Sequence, residues 1–153
     1  MKKYFSIILG TILFLSCQRN ENKTAENILK GTWQLISGTL IDKGDTTITD
    51  YTRGIQMIKI INDTHFAFLN HDLSKGKDST AAQFVAGGGP YELAGDNYTE
   101  HLEYCSYREW EGNTFPFKLT IVGDTLTQEG VEKIEDLGVE RLNIEKYKRV
   151  TGL

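Results

Sequence analysis

From Gly31 onward the chain alternates apolar and polar residues over short runs rich in β-branched and aromatic side chains. That period of two predicts strands, because successive side chains of an extended chain point to opposite faces. The runs are 32–40, 54–61, 65–70, 90–94, 97–104, 115–122, 125–131 and 140–150, with weaker ones at 46–52 and 79–86. The last run is charged and long enough that its composition alone would also permit a helix. Asn62-Asp63-Thr64, Gly95-Asp96 and Gly123-Asp124 separate neighbouring runs. Such residues tolerate positive φ and mark tight hairpins. "AENILK" (25–30) is the one short helical candidate, at the start of the domain. The pattern predicts an all-β domain, a small antiparallel up-and-down barrel of eight to ten strands. Closure removes exposed strand edges; a two-sheet sandwich is the alternative.

The same alternation sorts side chains between interior and solvent. In "NYTEHLEY" it places Tyr98, Glu100, Leu102 and Tyr104 on the inner face, with Thr99, His101 and Glu103 outside. Phe115, Phe117, Leu119 and Ile121 share a face, as do Phe66 and Phe68. In the last strand Glu145, Tyr147 and Arg149 share one. A carboxylate inside a barrel is costly without a partner, so Arg149 paired with a glutamate is the economical expectation. Such a pair would close the barrel floor, anchor the polar end of an apolar ligand, or do both. The candidate ligand-binding set is Phe66, Phe68, Phe115 and Phe117 as apolar walls, with Tyr98, Glu100, Tyr104 and Arg149 orienting a polar end.

Gly87-Gly88-Gly89 precedes Pro90 and no helix, and it lacks the Lys-Ser/Thr of a phosphate loop. It reads as a bend or bulge in a strand, with Gly88 structural. His65, His71 and His101 lack metal-ligand spacing, so no metal site is expected. No cofactor motif, serine elbow or C-x-x-C is present. Trp110, with Tyr107 and Arg108, falls on a loop that either folds over the rim or meets a partner. His71-Asp72 opens a solvated loop.

At 153 residues the chain has a one-domain length. "MKKYFSIILGTILFLSC" has a basic start, then an apolar stretch too short to span a bilayer, then Ser16 and Cys17. It reads as a signal peptide over 1–16, and "FLSC" resembles a bacterial lipobox with Cys17 as the lipidated residue. Residues 17–28 follow as a polar tether, and 29–153 as the barrel domain. The expected location is the outer membrane, facing the periplasm or the surface. Removing Lys2 and Lys3 leaves 15 of 17 basic side chains against 21 acidic ones, a net of −6. An acidic domain without a basic cluster is a poor match for nucleic acid. With Cys17 acylated, Cys105 is the one remaining thiol and no internal disulfide can form.

Gly31-Thr32-Trp33 at the start of the first strand and Arg149 near the end of the last resemble the lipocalin (calycin) pattern. "GTWQLISG", "IKIINDTHFAF", "GGGPYELAGDNYTEHLEY" and "EKYKRV", in that order, are similar to a lipocalin-like family of bacterial secreted lipoproteins of largely unknown function. The resemblance covers Leu29 to Val150. It implies that Trp33 plugs the barrel base with Arg149 packed across it, and that Gly31, Glu145 and Tyr147 are structural. Tyr147 stands where tryptophan is expected, and Pro90 where threonine is commoner. The function implied is binding of a small, largely hydrophobic molecule by a membrane-anchored monomer, without catalysis or cofactor. A filled barrel acting as a protein-interaction module is the alternative, and a calycin-type isomerase or cyclase using Glu100 is a third.

Overall fold

The computed structural model describes residues 28–152. The expected signal peptide, the expected lipidation residue Cys17 and the expected tether up to residue 27 therefore lie outside the described residues. Among the described residues ten strands follow one another: β1 Gly31–Asp42, β2 Asp45–Asp50, β3 Ile55–Ile61, β4 His65–Asp72, β5 Phe84–Ala94, β6 Asn97–His101, β7 Tyr104–Cys105, β8 Thr114–Val122, β9 Thr125–Ile134 and β10 Val139–Arg149. Eight of them follow one another as antiparallel neighbours, β1-β3-β4-β5-β6-β8-β9-β10, and β10 pairs back onto β1 from Trp33↔Arg149 to Ile41↔Leu142. The sheet is thus a closed up-and-down barrel of lipocalin-like form. The last run, whose charge left a helix open, is the strand that closes it. β2 folds back on β1, and β7 continues β6 along β5.

One end of the barrel is filled. Trp33 is fully buried there, its Nε1 donating to the Leu29 carbonyl at 2.7 Å. The Arg149 guanidinium lies 4.0 Å over the Trp33 ring and donates to the carbonyls of Lys30 (Nη1, 2.9 Å) and Ile28 (Nη2). Ile28 and Leu29 are the described part of the expected helix, and these two side chains satisfy carbonyls that would otherwise end it unpaired. The packing of Trp33 under Arg149, an implication of the resemblance, is present. Gly31 adopts φ 133° beside them, and a Cβ there would press on Arg149 Nη1 at 3.0 Å.

Two one-residue shifts in register separate this filled end from the other. In β1 the pairing with β10 slips between Leu35 and Ser37, so Trp33 and Leu35 face inward below the bulge and Gly38 and Leu40 above it. The second lies between β6 and β7. Tyr91 pairs with Glu100, but Gly87 pairs with Cys105, one residue further than continuous pairing would give. At the slip Leu102 N–H bonds to the Asn113 carbonyl and Glu103 N–H to that of Gly88. Cys105 consequently faces inward, and Tyr104 stands on the outer wall with 67% of its surface exposed. The expectation that Tyr104 lines the interior is corrected by this bulge, which an unbroken alternation over 97–104 cannot register.

The triple glycine is what lets the wall pass this point. A methyl on Gly87 would come within 2.6 Å of the Phe68 ring, and one on Gly88 within 2.5 Å of the Phe66 carbonyl oxygen. One on Gly89 would collide with the His101 carbonyl oxygen. The glycines are needed for close approach of three strands, not for phosphate contact. Of the weaker run at 79–86, residues 79–81 form a turn and only 84–86 are strand, as the start of β5 at Phe84. The loop before it is held by Asp72, which accepts from Ser74 Oγ, Gly76 N–H (3.0 Å) and Gln83 N–H (3.2 Å). Those hydrogen bonds pull its carboxyl pKa down to about 2.

Replacing Gly89 with alanine forces backbone apart, so G89A is expected to cost about 1–3 kcal/mol or more. A urea titration checks it: an unchanged midpoint would show that β5 and the β6–β7 bulge can separate freely.

Candidate functional site

Halfway along the barrel the interior changes from apolar to charged. Lys59, on β3, shares the inward face with Met57 and Ile61 and is 2% exposed. Its Nζ donates to Glu100 Oε1 at 2.7 Å from β6 and to Gln128 Oε1 at 2.9 Å from β9. Glu145 Oε2, from β10, lies 3.8 Å away and accepts the Tyr147 hydroxyl at 2.6 Å. The ammonium also sits 5.3 Å over the Tyr147 ring and 5.7 Å over Phe66. Four strands thereby meet at one cation, which forms a polar floor across the barrel.

Burial raises the Glu100 pKa, and the Lys59 charge and hydrogen bond oppose that shift. Tyr98 is buried behind Glu100; its hydroxyl faces that carboxylate outside strict hydrogen-bond geometry. Desolvation, then the nearby Glu100 charge, holds the Tyr98 phenol protonated far above the ordinary range. Tyr147 is held likewise by burial and by Glu145.

Above the floor is a cavity of about 270 Å³. Phe68, Phe115, Phe117, Met57 and Leu102 form its apolar wall, and Glu100, Gln128, Glu145 and Lys59 reach it from below. Tyr51 and Thr49, at the end of β2, line a second side. Nearer the mouth Glu132 accepts from Arg141 Nε and Asn143 Nδ2, both at 2.8 Å. Arg141 covers the Trp110 ring at 5.2 Å, and Trp110 stacks at 5.9 Å on Phe115. Trp110 belongs to a 3-10 turn, Arg108–Trp110, that folds over the rim. Glu111 fixes this turn by accepting the Cys105 N–H at 2.8 Å and pairing with Arg108 at 2.9 Å. Cys105 is free, and burial pushes its thiol pKa up.

The expected ligand-binding set is divided by this geometry. Phe68, Phe115, Phe117 and Glu100 surround the cavity. Phe66 and Tyr98 are buried but do not line it, and Tyr104 is outside. Arg149 caps the opposite end, so the glutamate partner expected of it belongs instead to Lys59. Glu145, expected to be structural, also reaches the cavity.

Lys59 was concealed by its own strand. In "IQMIKII" Ile58 and Ile60 face outward, so both faces are mostly apolar and the lysine resembles a mark of the wet side. Arg141 and Asn143 were within reach, since the inward period of two that gives Glu145 and Tyr147 continues back to them.

No family model matches the chain, and no curated protein matches it.

Removing the cation leaves two carboxylates facing a dry floor, so Lys59→Met is expected to destabilise by about 3–5 kcal/mol. Adding Glu100→Gln should restore part of that loss in denaturant titration. A raised carboxyl pKa means the folded state binds the extra proton, so Glu100 contributes stability that falls as pH rises from the unfolded value, near 4.5, through the folded one. K59M should show this slope more steeply than wild type between acid and neutral pH; a flat difference would contradict the floor assignment.

Proposed function

We propose that the protein is a lipid-anchored, lipocalin-like binding protein that carries or sequesters one small, largely apolar molecule in the open half of its barrel. The observation that carries this reading is the void of about 270 Å³ above the ion-paired floor. Pockets for small molecules combine a mainly apolar wall with a few placed polar groups. Here the phenylalanines at 68, 115 and 117 supply the wall and the Glu100–Lys59–Glu145 floor supplies the polar groups. A protein-interaction module built on a filled barrel would have no need of such a space. The Trp33–Arg149 base supports the resemblance to secreted lipocalin-like lipoproteins. The ending "FLSC" supports an anchor at Cys17 that holds the barrel at the outer membrane.

A neutral fluorescent probe, N-phenyl-1-naphthylamine, should bind the purified protein at one site per chain. Val85→Trp, which puts bulk into the cavity wall, should weaken that binding about tenfold or more, the loss expected when well-packed burial is denied. Saturable binding that ignores Val85→Trp would move the site elsewhere, and no binding would sink the proposal. For the anchor, Cys17→Ser should shift the protein from the membrane fraction to the soluble one, and unchanged fractionation would refute lipidation.

A further inference from the structure

We infer that the molecule held in the cavity is an organic cation, an amine either protonated or methylated on a compact apolar or aromatic body. This rests on the binding reading above and adds the sign of the ligand's charge.

Among the residues lining the cavity are three carboxylates, Glu100, Glu132 and Glu145, and two cations, Lys59 and Arg141. Both cations are already engaged. Lys59 is hydrogen-bonded to Glu100 and Gln128 and faces Glu145, while Arg141 is bonded through Nε to Glu132 and lies on the Trp110 ring. With all three carboxylates ionised the lining carries one uncompensated negative charge, in a confined space of low polarisability where charges act more strongly than in water. Glu145 is the natural seat for a cation, because the Tyr147 hydroxyl and Lys59 both approach its Oε2 and neither engages Oε1. Its charge adds to burial in raising the pKa values of its neighbours Tyr51 and Tyr147.

The wall suits the same ligand. Phe68, Phe115 and Phe117 stand within the cavity, and ring faces attract an ammonium, quaternary ones included. A carboxylate-headed ligand would instead meet the uncompensated negative charge of that lining. The volume sets the size: about 270 Å³ falls just below the usual range of roughly 300–1,000 Å³ for small-molecule pockets, so the ligand is compact.

The test uses the purified full chain with N-phenyl-1-naphthylamine bound and four competitors sharing one phenyl body. These are 3-phenylpropylamine, its N,N,N-trimethyl derivative, 3-phenylpropan-1-ol and 3-phenylpropionate. One or both cations should displace the probe about tenfold more tightly than the alcohol, with the carboxylate weakest. Glu145→Gln and Glu132→Gln, made separately, should each shrink the amine-to-alcohol ratio about threefold or more. Should one variant fail to fold, the other variant and the wild-type ranking still decide. Equal binding of amine and alcohol, or preference for the carboxylate, overturns the cation assignment and leaves the binding site standing. Failure of the probe and all four competitors overturns both.

Discussion

A single ammonium group organises the middle of this barrel. Lys59 enters from β3, and the oxygens that satisfy it come from β6, β9 and β10, across the interior. Taking such a charge out of water costs several kcal/mol, which the protein offsets only if the partners are correctly placed. That requirement fixes the relative height of four strands more tightly than apolar packing would, because a slip by one residue would turn Lys59 to the outside. The arrangement also divides the barrel into two compartments with different physics. Below the floor, Trp33, Tyr147 and Leu126 are fully buried. Above it, charged and aromatic side chains surround space.

The transition between compartments is made by backbone. The bulge in β1 and the slip between β6 and β7 both change which residues face inward near the level of the floor. On the β5 side three consecutive glycines take the place of side chains, so the strands beside the slip can close together. The cavity is therefore a product of register as much as of residue size. Inward phases set by Trp33 and by Tyr98 at the base would, if continued without slippage, have aimed Ser37 and Tyr104 into the space now bordered by Gly38 and Cys105.

The architecture was legible because alternation is a local signal: hairpin turns at Asn62, Gly95 and Gly123 and the period of two were sufficient to predict a barrel. The packing of Arg149 on Trp33 came from the resemblance, whereas alternation alone placed Arg149 beside a glutamate that in fact pairs with Lys59. The floor was less legible. Glu100 and Glu145 were placed inward, but their cation sits in a strand whose outward residues, Ile58 and Ile60, are as apolar as its inward ones. Tyr104 was misplaced because a bulge spends one residue without altering composition. Alternation reports which residues share a face; it does not report where the phase changes.

The seam between β1 and β10 joins the two ends of the domain, and the bond from Arg149 to the Lys30 carbonyl spans 119 positions. Every other neighbour in the barrel wall is reached through a hairpin or a short return, so those contacts can form early, while loop closure delays the seam until the chain is nearly complete. Interactions made last in folding are absent from much of the transition state, and strengthening or weakening them acts chiefly on the rate of opening. The arginine that caps Trp33 thus clasps the first strand to the last, at the point where the longest loop of the barrel closes.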